Sequence, residues 1–312
     1  MTNSFREDFH AANTAPRGPL VALIERGTGA LVADLERVTQ GYANEVYYAD
    51  LVPPERIVVR IRRRGATSFA SEGWALEAAR RAGVPVPQIL ALSVLEADEP
   101  LEVMLLSLVP GRPLGALWPG LDEAERRMVM GRVGDALLAL HTEVGGWGRR
   151  FEDGSWEFAT WQERAAAEVQ GREADVPTLQ QAGLTEAETD GLIEAVRATL
   201  TVGEPTPVLC HGDLGMDHLF VDGDLNVTGI IDFGMWRGGP PELDAAVLTM
   251  YHPDVSAAWL GPLSAASKRR VLSEQIAVGM GFLAHDLRAG SADYLELALP
   301  GLRGSLRAWQ AL

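Results

Sequence analysis

The chemistry-bearing residues of this chain crowd into one stretch. HGDLGMDHLF, residues 211–220, sets His211, Asp213, Asp217 and His218 within eight positions, directly after the apolar run Pro207-Val208-Leu209-Cys210. His218-Leu219-Phe220-Val221 then reads as a strand, Asp222-Gly223-Asp224-Leu225-Asn226 as a turn, and Val227 to Ile231 as the returning strand. A hairpin closing around Leu225 sets His218 opposite Asp232, each seven residues from the centre, with Asp213 on the loop leading in. One loop carboxylate facing an imidazole and a second carboxylate on paired strands suits a cation site with an acid/base group beside it.

Rival chemistries fail on spacing. Cys210 and His211 are adjacent on an extended chain and point to opposite faces, so they make no nucleophile–base pair. The run DGDLN opens like a calcium loop, but Val227 stands where glycine is needed and Phe233 where glutamate is needed. A Walker phosphate loop would have to use Lys268, the only lysine, which follows no glycine-rich run. Zinc would want further His or Cys ligands at recognisable spacing, and none occurs.

The elements that must hold these groups divide by pattern. Residues 31–50 read as two β runs around Gln40-Gly41-Tyr42-Ala43-Asn44. ERIVVRIRRR alternates, with Ile57, Val59 and Ile61 on one face of a strand and Val58, Arg60 and Arg62 on the other. Thr67 or Ser68 caps a helix running to Gly83, and Val84-Pro85-Val86-Pro87 stops it. LEVMLLSLVPGRPL, residues 101–114, reads as a buried strand leaving through Pro110-Gly111 into a linker. Beyond it, helical spacing dominates residues 121–143, 161–200 and 242–312, broken only by the β signal of 207–232. These patterns predict an N-terminal lobe over residues 1–106, a linking segment at 107–112 and a mainly helical lobe over 113–312.

Composition narrows the partners. Of 312 residues 47% are hydrophobic, enough for sizeable cores, and 43 acidic against 27 basic groups give a net charge of -16. Such a balance opposes binding to nucleic acid or to anionic lipid and favours a cationic ligand. One cysteine, no membrane-length apolar run and no signal-peptide pattern at the N-terminus lead us to expect a soluble cytoplasmic protein. Every basic residue except Lys268 is arginine, so any role usual for lysine falls to arginine.

HGDLGMDHLFVDGDLNVTGIIDFG resembles the signature of the aminoglycoside phosphotransferase family, relatives of the protein kinases that phosphorylate small molecules. The resemblance implies that Asp213 is the catalytic aspartate, that His218 stands in for the usual metal-binding asparagine, and that Asp232 is the second metal ligand. GPPELDAA, residues 239–246, is similar to the family's G-D-P-x-x-D-L-A and places Asp244 as a brace under the catalytic loop, with His211 a structural residue beside it. VVR followed by EGWALEAARRAGVPVPQIL looks like the strand and helix that carry the kinase Lys–Glu pair, here Arg60 and Glu72. QGYANEVYY is similar to the short nucleotide loop, with Asn44 near the phosphates, and Val58 faces the nucleotide from the strand. LLSLVPG resembles the hinge, with Leu106 as gatekeeper and Ser107, Leu108 and Val109 offering backbone groups to the purine.

The implied fold is α+β, a two-lobed protein-kinase-like fold with an antiparallel sheet plus helix in the N-terminal lobe and a mainly helical C-terminal lobe. The implied reaction is transfer of the γ-phosphate of ATP or GTP to a small-molecule hydroxyl, with Mg2+, or Mn2+ given the imidazole ligand. Arginine keeps the charge of lysine but offers a planar fork, so phosphate geometry differs. The His218 variant also occurs in macrolide phosphotransferases and 2''-aminoglycoside kinases. VVRIRRR and AVGMGFLAHDLRAGSADYLELA, residues 277–298, resemble the macrolide enzymes, and Met280, Phe282 and Leu283 would line a groove for a lactone ring. The expected acceptor is therefore a cationic antibiotic, macrolide ahead of aminoglycoside. The alternatives are a metabolite kinase and a nucleotide-binding pseudokinase.

Overall fold

Alternation along Glu55–Arg62 sets the geometry of the sheet that carries the predicted nucleotide residues. The computed structural model describes residues 10–39, 44–63, 68–96, 99–201, 203–252, 255, 263–289 and 295–312. Strands β1 (Leu31–Val38), β2 (Asn44–Val52), β3 (Glu55–Arg62), β4 (Ile89–Leu95) and β5 (Leu101–Ser107) form an antiparallel sheet in the order β1-β2-β3-β5-β4. Ile57, Val59 and Ile61 turn to one side, where Leu20, Leu23 and Ile24 of helix α1 (Arg17–Thr28) share their core with Leu35, Ala49, Val103 and Leu105. The opposite face is read from the register: Val58 pairs Leu106 and Tyr48, Arg60 pairs Met104 and Val46, and Arg62 pairs Asn44. Cross-strand partners share a face, so Asn44, Val58, Arg60 and Leu106 all project from the same side of this sheet. Of the turn expected at residues 40–44, only Asn44 falls among the described residues.

Helix α2 (Phe69–Arg81) begins where the sequence predicts. Ser68 accepts from the Ser71 amide at 3.2 Å, while Thr67 lies outside the described residues. The Glu102 carboxylate accepts from the Phe69 amide at 2.8 Å and pairs with Arg62, so β3 and β5 hold the helix start and with it Glu72. One acidic residue interrupts the core face of β2: Glu45 is fully buried, accepting from the Ala15 amide at 2.8 Å, the Tyr47 hydroxyl at 2.5 Å and the Arg63 guanidinium at 2.7 and 2.9 Å.

The chain divides into two compact units, residues 1–117 with 217–235, and residues 118–216 with 236–312. The predicted hairpin forms from β10 (Leu219–Val221) and β11 (Val227–Ile230), which lie in the first unit beside β6 (Arg112–Pro113). Asp222 builds the turn, accepting from the amides of Asp224 and Asn226, and Leu225 takes a left-handed φ of 62°. The expected register is off by one residue. The turn centres on Asp224 rather than Leu225, with Val221 against Val227; a bulge between Phe220 and Val221 returns one residue, so Leu219 lies against Ile230 and His218 opposite Ile231, whose amide donates to its carbonyl, rather than opposite Asp232.

In the second unit, four short strands run in the order β8-β7-β12-β9: β7 (Trp147–Arg150), β8 (Trp156–Phe158), β9 (Val208–Cys210) and β12 (Arg237–Gly239). Around them are α3 (Glu123–Leu140), α4 (Trp161–Gln181), α5 (Glu186–Arg197), α6 (Glu242–Tyr251), α7 (Ala265–Arg288) and α8 (Leu295–Gln310). Capping boxes at Asp122, Thr160 and Thr185 start α3, α4 and α5. The core joins Leu179, Leu192, Val196, Ile276, Met280 and Leu302 across four of these helices. Among the described residues, no helix is long and apolar enough to cross a membrane.

Gly111 lies within the expected hinge at φ +99°, and a Cβ there would meet the Val221 carbonyl oxygen at 2.4 Å. Replacing Gly111 with Ala is expected to cost about 1–3 kcal/mol through left-handed strain and this backbone clash. The check is a lowered urea midpoint, and an unchanged midpoint would contradict the packing described for this turn.

Candidate active site

Arg60 is nearly cut off from solvent, so its charge is stabilised by its neighbours. Its side chain is buried on β3, one guanidinium nitrogen donating to Glu72 Oε1 and the other to Asp232 Oδ1 at 2.9 Å, with the Phe69 ring centroid 5.4 Å away. Burial works against the guanidinium charge, but Glu72 and Asp232 outweigh it and raise the Arg60 pKa further above its ordinary value. Burial likewise pushes the Glu72 carboxyl up, and Arg60 opposes that push. The planar fork thus serves two carboxylates at once, a bridging geometry that suits the delocalised guanidinium.

Asp232 adopts φ 63°, one of two non-glycine residues among those described with a positive φ. Strain of this kind concentrates at functional positions. Its side chain is 47% exposed, so a cation can reach the carboxylate, and Gly234 keeps that side open: a Cβ there would lie 3.3 Å from Asp232 Oδ1. His218 closes the short turn Met216–His218 at the head of β10. By type, a carboxylate oxygen and an imidazole nitrogen are both donors that a divalent ion accepts.

Asp213 belongs to the second unit, and its loop is held from below by one carboxylate. Asp244, fully buried on the first turn of α6, accepts from the Gly212 amide at 2.8 Å, the His211 amide at 3.0 Å and His141 Nε2 at 3.0 Å. Gly212 sits at φ 81°, a conformation that lets two successive amides turn toward the same group. His211 Nδ1 accepts from the Asp213 amide at 3.3 Å, which puts the ring proton on Nε2. Burial raises the Asp244 carboxyl, but the hydrogen bond from His141, helped by the Gly212 amide, holds it below the ordinary aspartate value.

Among the described residues, one trio of His, Cys, Asp or Glu brings its ligand atoms within 4.8 Å of one another: His141, Cys210 and Asp244. Its members are already engaged, since Cys210 Sγ donates to the Pro240 carbonyl at 3.3 Å and Asp244 takes three donors. It is a hydrogen-bonded brace. Burial also pushes the Cys210 thiol well up, so it offers no thiolate.

At the expected hinge, the Ser107 amide donates to the Gln88 carbonyl at 2.9 Å, so that group is committed within the protein. Leu108 is exposed, while Leu106 and Val109 are buried, Val109 close against Gly229. Met280 and Leu283, expected to line a lactone groove, are buried in the helical core instead, because α7 packs against several other helices and its apolar face is consumed there. Two residues escaped the sequence reading. His141 ends a helix, and the signal for its burial is its position directly after the apolar run LLAL. Glu45 carried a clearer signal, an acid in phase with the buried Tyr47 and Ala49.

Replacing Arg60 with Met is expected to cost about 3–5 kcal/mol in chemical denaturation, because Glu72 keeps a buried charge without its counter-ion. The double variant Arg60→Met, Glu72→Leu should recover most of that, and equal losses would contradict the buried pair. A depressed aspartate stabilises the fold above its unfolded pKa and loses that contribution as pH falls through the folded value. Asp244→Asn is therefore expected to be less stable than the parent at pH 7, with the gap narrowing as pH falls below the ordinary aspartate pKa of 3.8. Urea midpoints across that range read the effect, and a widening gap would contradict it.

Comparison with known proteins supports one family. The sequence model of the phosphotransferase enzyme family matches residues 34–275. No curated protein matches the sequence. Among solved structures, the chain is similar to a thermostable mutant of aminoglycoside phosphotransferase APH(4)-Ia in ternary complex with ADP and hygromycin B. That likeness has 19% identity and a TM-score of 0.74 over 92% of this chain and 98% of that one. A putative fructosamine-3-kinase from Thermobifida fusca gives 21% identity and a TM-score of 0.61 over 92% and 98%. The GDP and kanamycin complex of APH(2")-IIIa gives 18% and 0.63 over 92% and 97%. These likenesses establish the fold, α+β of the protein-kinase-like kind. With the family model matched across most of its length, the chain belongs to the phosphotransferase enzyme family and is itself a phosphotransferase.

Proposed function

We propose that this enzyme moves the γ-phosphate of ATP or GTP to a hydroxyl of a small-molecule antibiotic in the cytoplasm. The observation that carries the reading is Arg60 held between Glu72 and Asp232, on the same sheet face as Asn44, Val58 and Leu106. Arg60 supplies positive charge for the phosphates, and Val58 and Leu106 supply apolar walls for the base. Asn44 Oδ1 is buried with no hydrogen-bond partner among the described residues; turned over, the same amide would present Nδ2 to a phosphate oxygen. Residues 1–106 then act as the nucleotide lobe, 107–112 as the hinge, with Leu108 and Val109 still offering backbone groups, and 113–312 as the catalytic and acceptor lobe.

Asp232 and His218 would hold a divalent ion, magnesium or manganese, which neutralises phosphate charge when bound. Asp213 orients the acceptor hydroxyl and takes its proton as the oxygen bonds to the γ-phosphorus and the bond to the β-bridging oxygen breaks. The net charge of -16 suits a cationic acceptor, and amino sugars of both macrolides and aminoglycosides supply one. Resemblance of residues 277–298 favours the macrolide, whereas solved structures with hygromycin B and kanamycin favour the aminoglycoside; the two stand level. A metabolite kinase is the second reading, favoured by the likeness to a putative fructosamine-3-kinase. An intact buried Arg60–Glu72 pair speaks against a pseudokinase.

A panel of erythromycin, kanamycin, hygromycin B and common metabolites, each with ATP and with GTP, should show nucleotide consumption with an antibiotic. Asp213→Ala is expected to lower that turnover at least about 100-fold. Turnover with metabolites alone would reject the antibiotic acceptor, and an active Asp213→Ala would reject the catalytic assignment.

A further inference from the structure

The loop that carries Asp213 leaves β9, and β9 is strapped along its length by the segment that follows α3. The Leu209 amide donates to the Thr142 carbonyl at 2.9 Å, the Val144 amide to the Pro207 carbonyl at 3.0 Å, and Glu143 bridges Val208. His141 stands at the head of that segment as the C-terminal cap of α3, its amide donating to the Leu137 carbonyl at 2.9 Å. Its ring turns inward, with only 12% of the side chain exposed, and reaches Asp244 Oδ2 at 3.0 Å. The same oxygen receives the His211 amide, and Oδ1 receives the Gly212 amide. The carboxylate that sets the direction of two loop amides is therefore itself set by the imidazole.

A carboxylate with two backbone donors alone can rotate about its terminal torsion and exchange oxygens between them. A third donor arriving from a different element fixes the plane of the group. The strapped segment 142–144 keeps that donor at constant distance from β9, so α3, β9 and α6 meet at one buried point directly beneath the loop.

We propose that His141 is a positioning residue for Asp213, acting through Asp244 on the His211 and Gly212 amides. This rests on the reading of Asp213 as the group that orients the acceptor. Glutamine can place an N–H donor near the position of Nε2, while leucine keeps comparable bulk without a donor. His141→Leu and His141→Gln, in the full-length enzyme, separate the hydrogen bond from the packing.

Two readouts test it, one of them independent of any acceptor. In amide hydrogen exchange, His141→Leu should speed exchange at His211 and Gly212 at least about tenfold while α7 and α8 stay at parental rates, and His141→Gln should restore protection. In steady-state kinetics with an acceptor that turns over, His141→Leu should lower kcat about tenfold or more with the nucleotide KM within about twofold, and His141→Gln should recover most of it. Unchanged exchange at His211 and Gly212 in His141→Leu would overturn the proposal. So would faster exchange spread evenly over the helices, which marks a general packing role, and so would a glutamine variant as impaired as leucine. If Asp213→Ala is inactive and His141→Leu is not, the positioning role alone falls. If Asp213→Ala stays active, the catalytic reading falls while the exchange result still decides the link through Asp244.

Discussion

A guanidinium shared between two carboxylates, Arg60 between Glu72 and Asp232, is the constraint on which the candidate nucleotide site depends. Glu72 is almost wholly buried, and a carboxylate in that position survives as a charge only beside a cation. β3 must therefore present Arg60 to the start of α2, which Ser68 and Glu102 fix in place. The hairpin must in turn bring Asp232 to the same fork, and it is tied there by strand pairing to residues 112–113 and by the Ile230 amide on the Pro85 carbonyl.

The second unit solves a related problem with the opposite charge. Asp244 is an anion in the interior, and it is supplied with donors rather than a permanent cation: two backbone amides and an imidazole. The difference matches the tasks proposed for the two centres. A charge that must meet phosphates is worth holding as a permanent cation, whereas a loop that must present one carboxylate at a fixed angle needs directional bonds.

The sequence carried the strands of the first sheet, because period-two burial is written directly into Ile57, Val59 and Ile61, and the cap of α2, because serine announces it. It carried the hairpin turn through Asp222 and its neighbours, but not the register, since both the centring of the turn on Asp224 and the bulge beyond it arise from pairing geometry that no single residue declares. Helix α1 starts at Pro16 without a side-chain cap, and β7 and β12 are short and glycine-bearing, so each depends on neighbours distant in sequence. The candidate site was legible as letters at Asp213, His218, Asp232 and Asp244. The contact from Arg60 to Asp232, 172 positions apart, and that from His141 to Asp244, 103 apart, required the fold.

Calorimetric binding of a non-hydrolysable ATP or GTP analogue, with and without magnesium, to the parent and to Asp232→Asn tests whether the carboxylate beside Arg60 takes the cation. Magnesium should tighten binding to the parent and lose most of that effect in Asp232→Asn. An equal magnesium effect in both would place the cation elsewhere and contradict the role given to the Arg60–Asp232 centre.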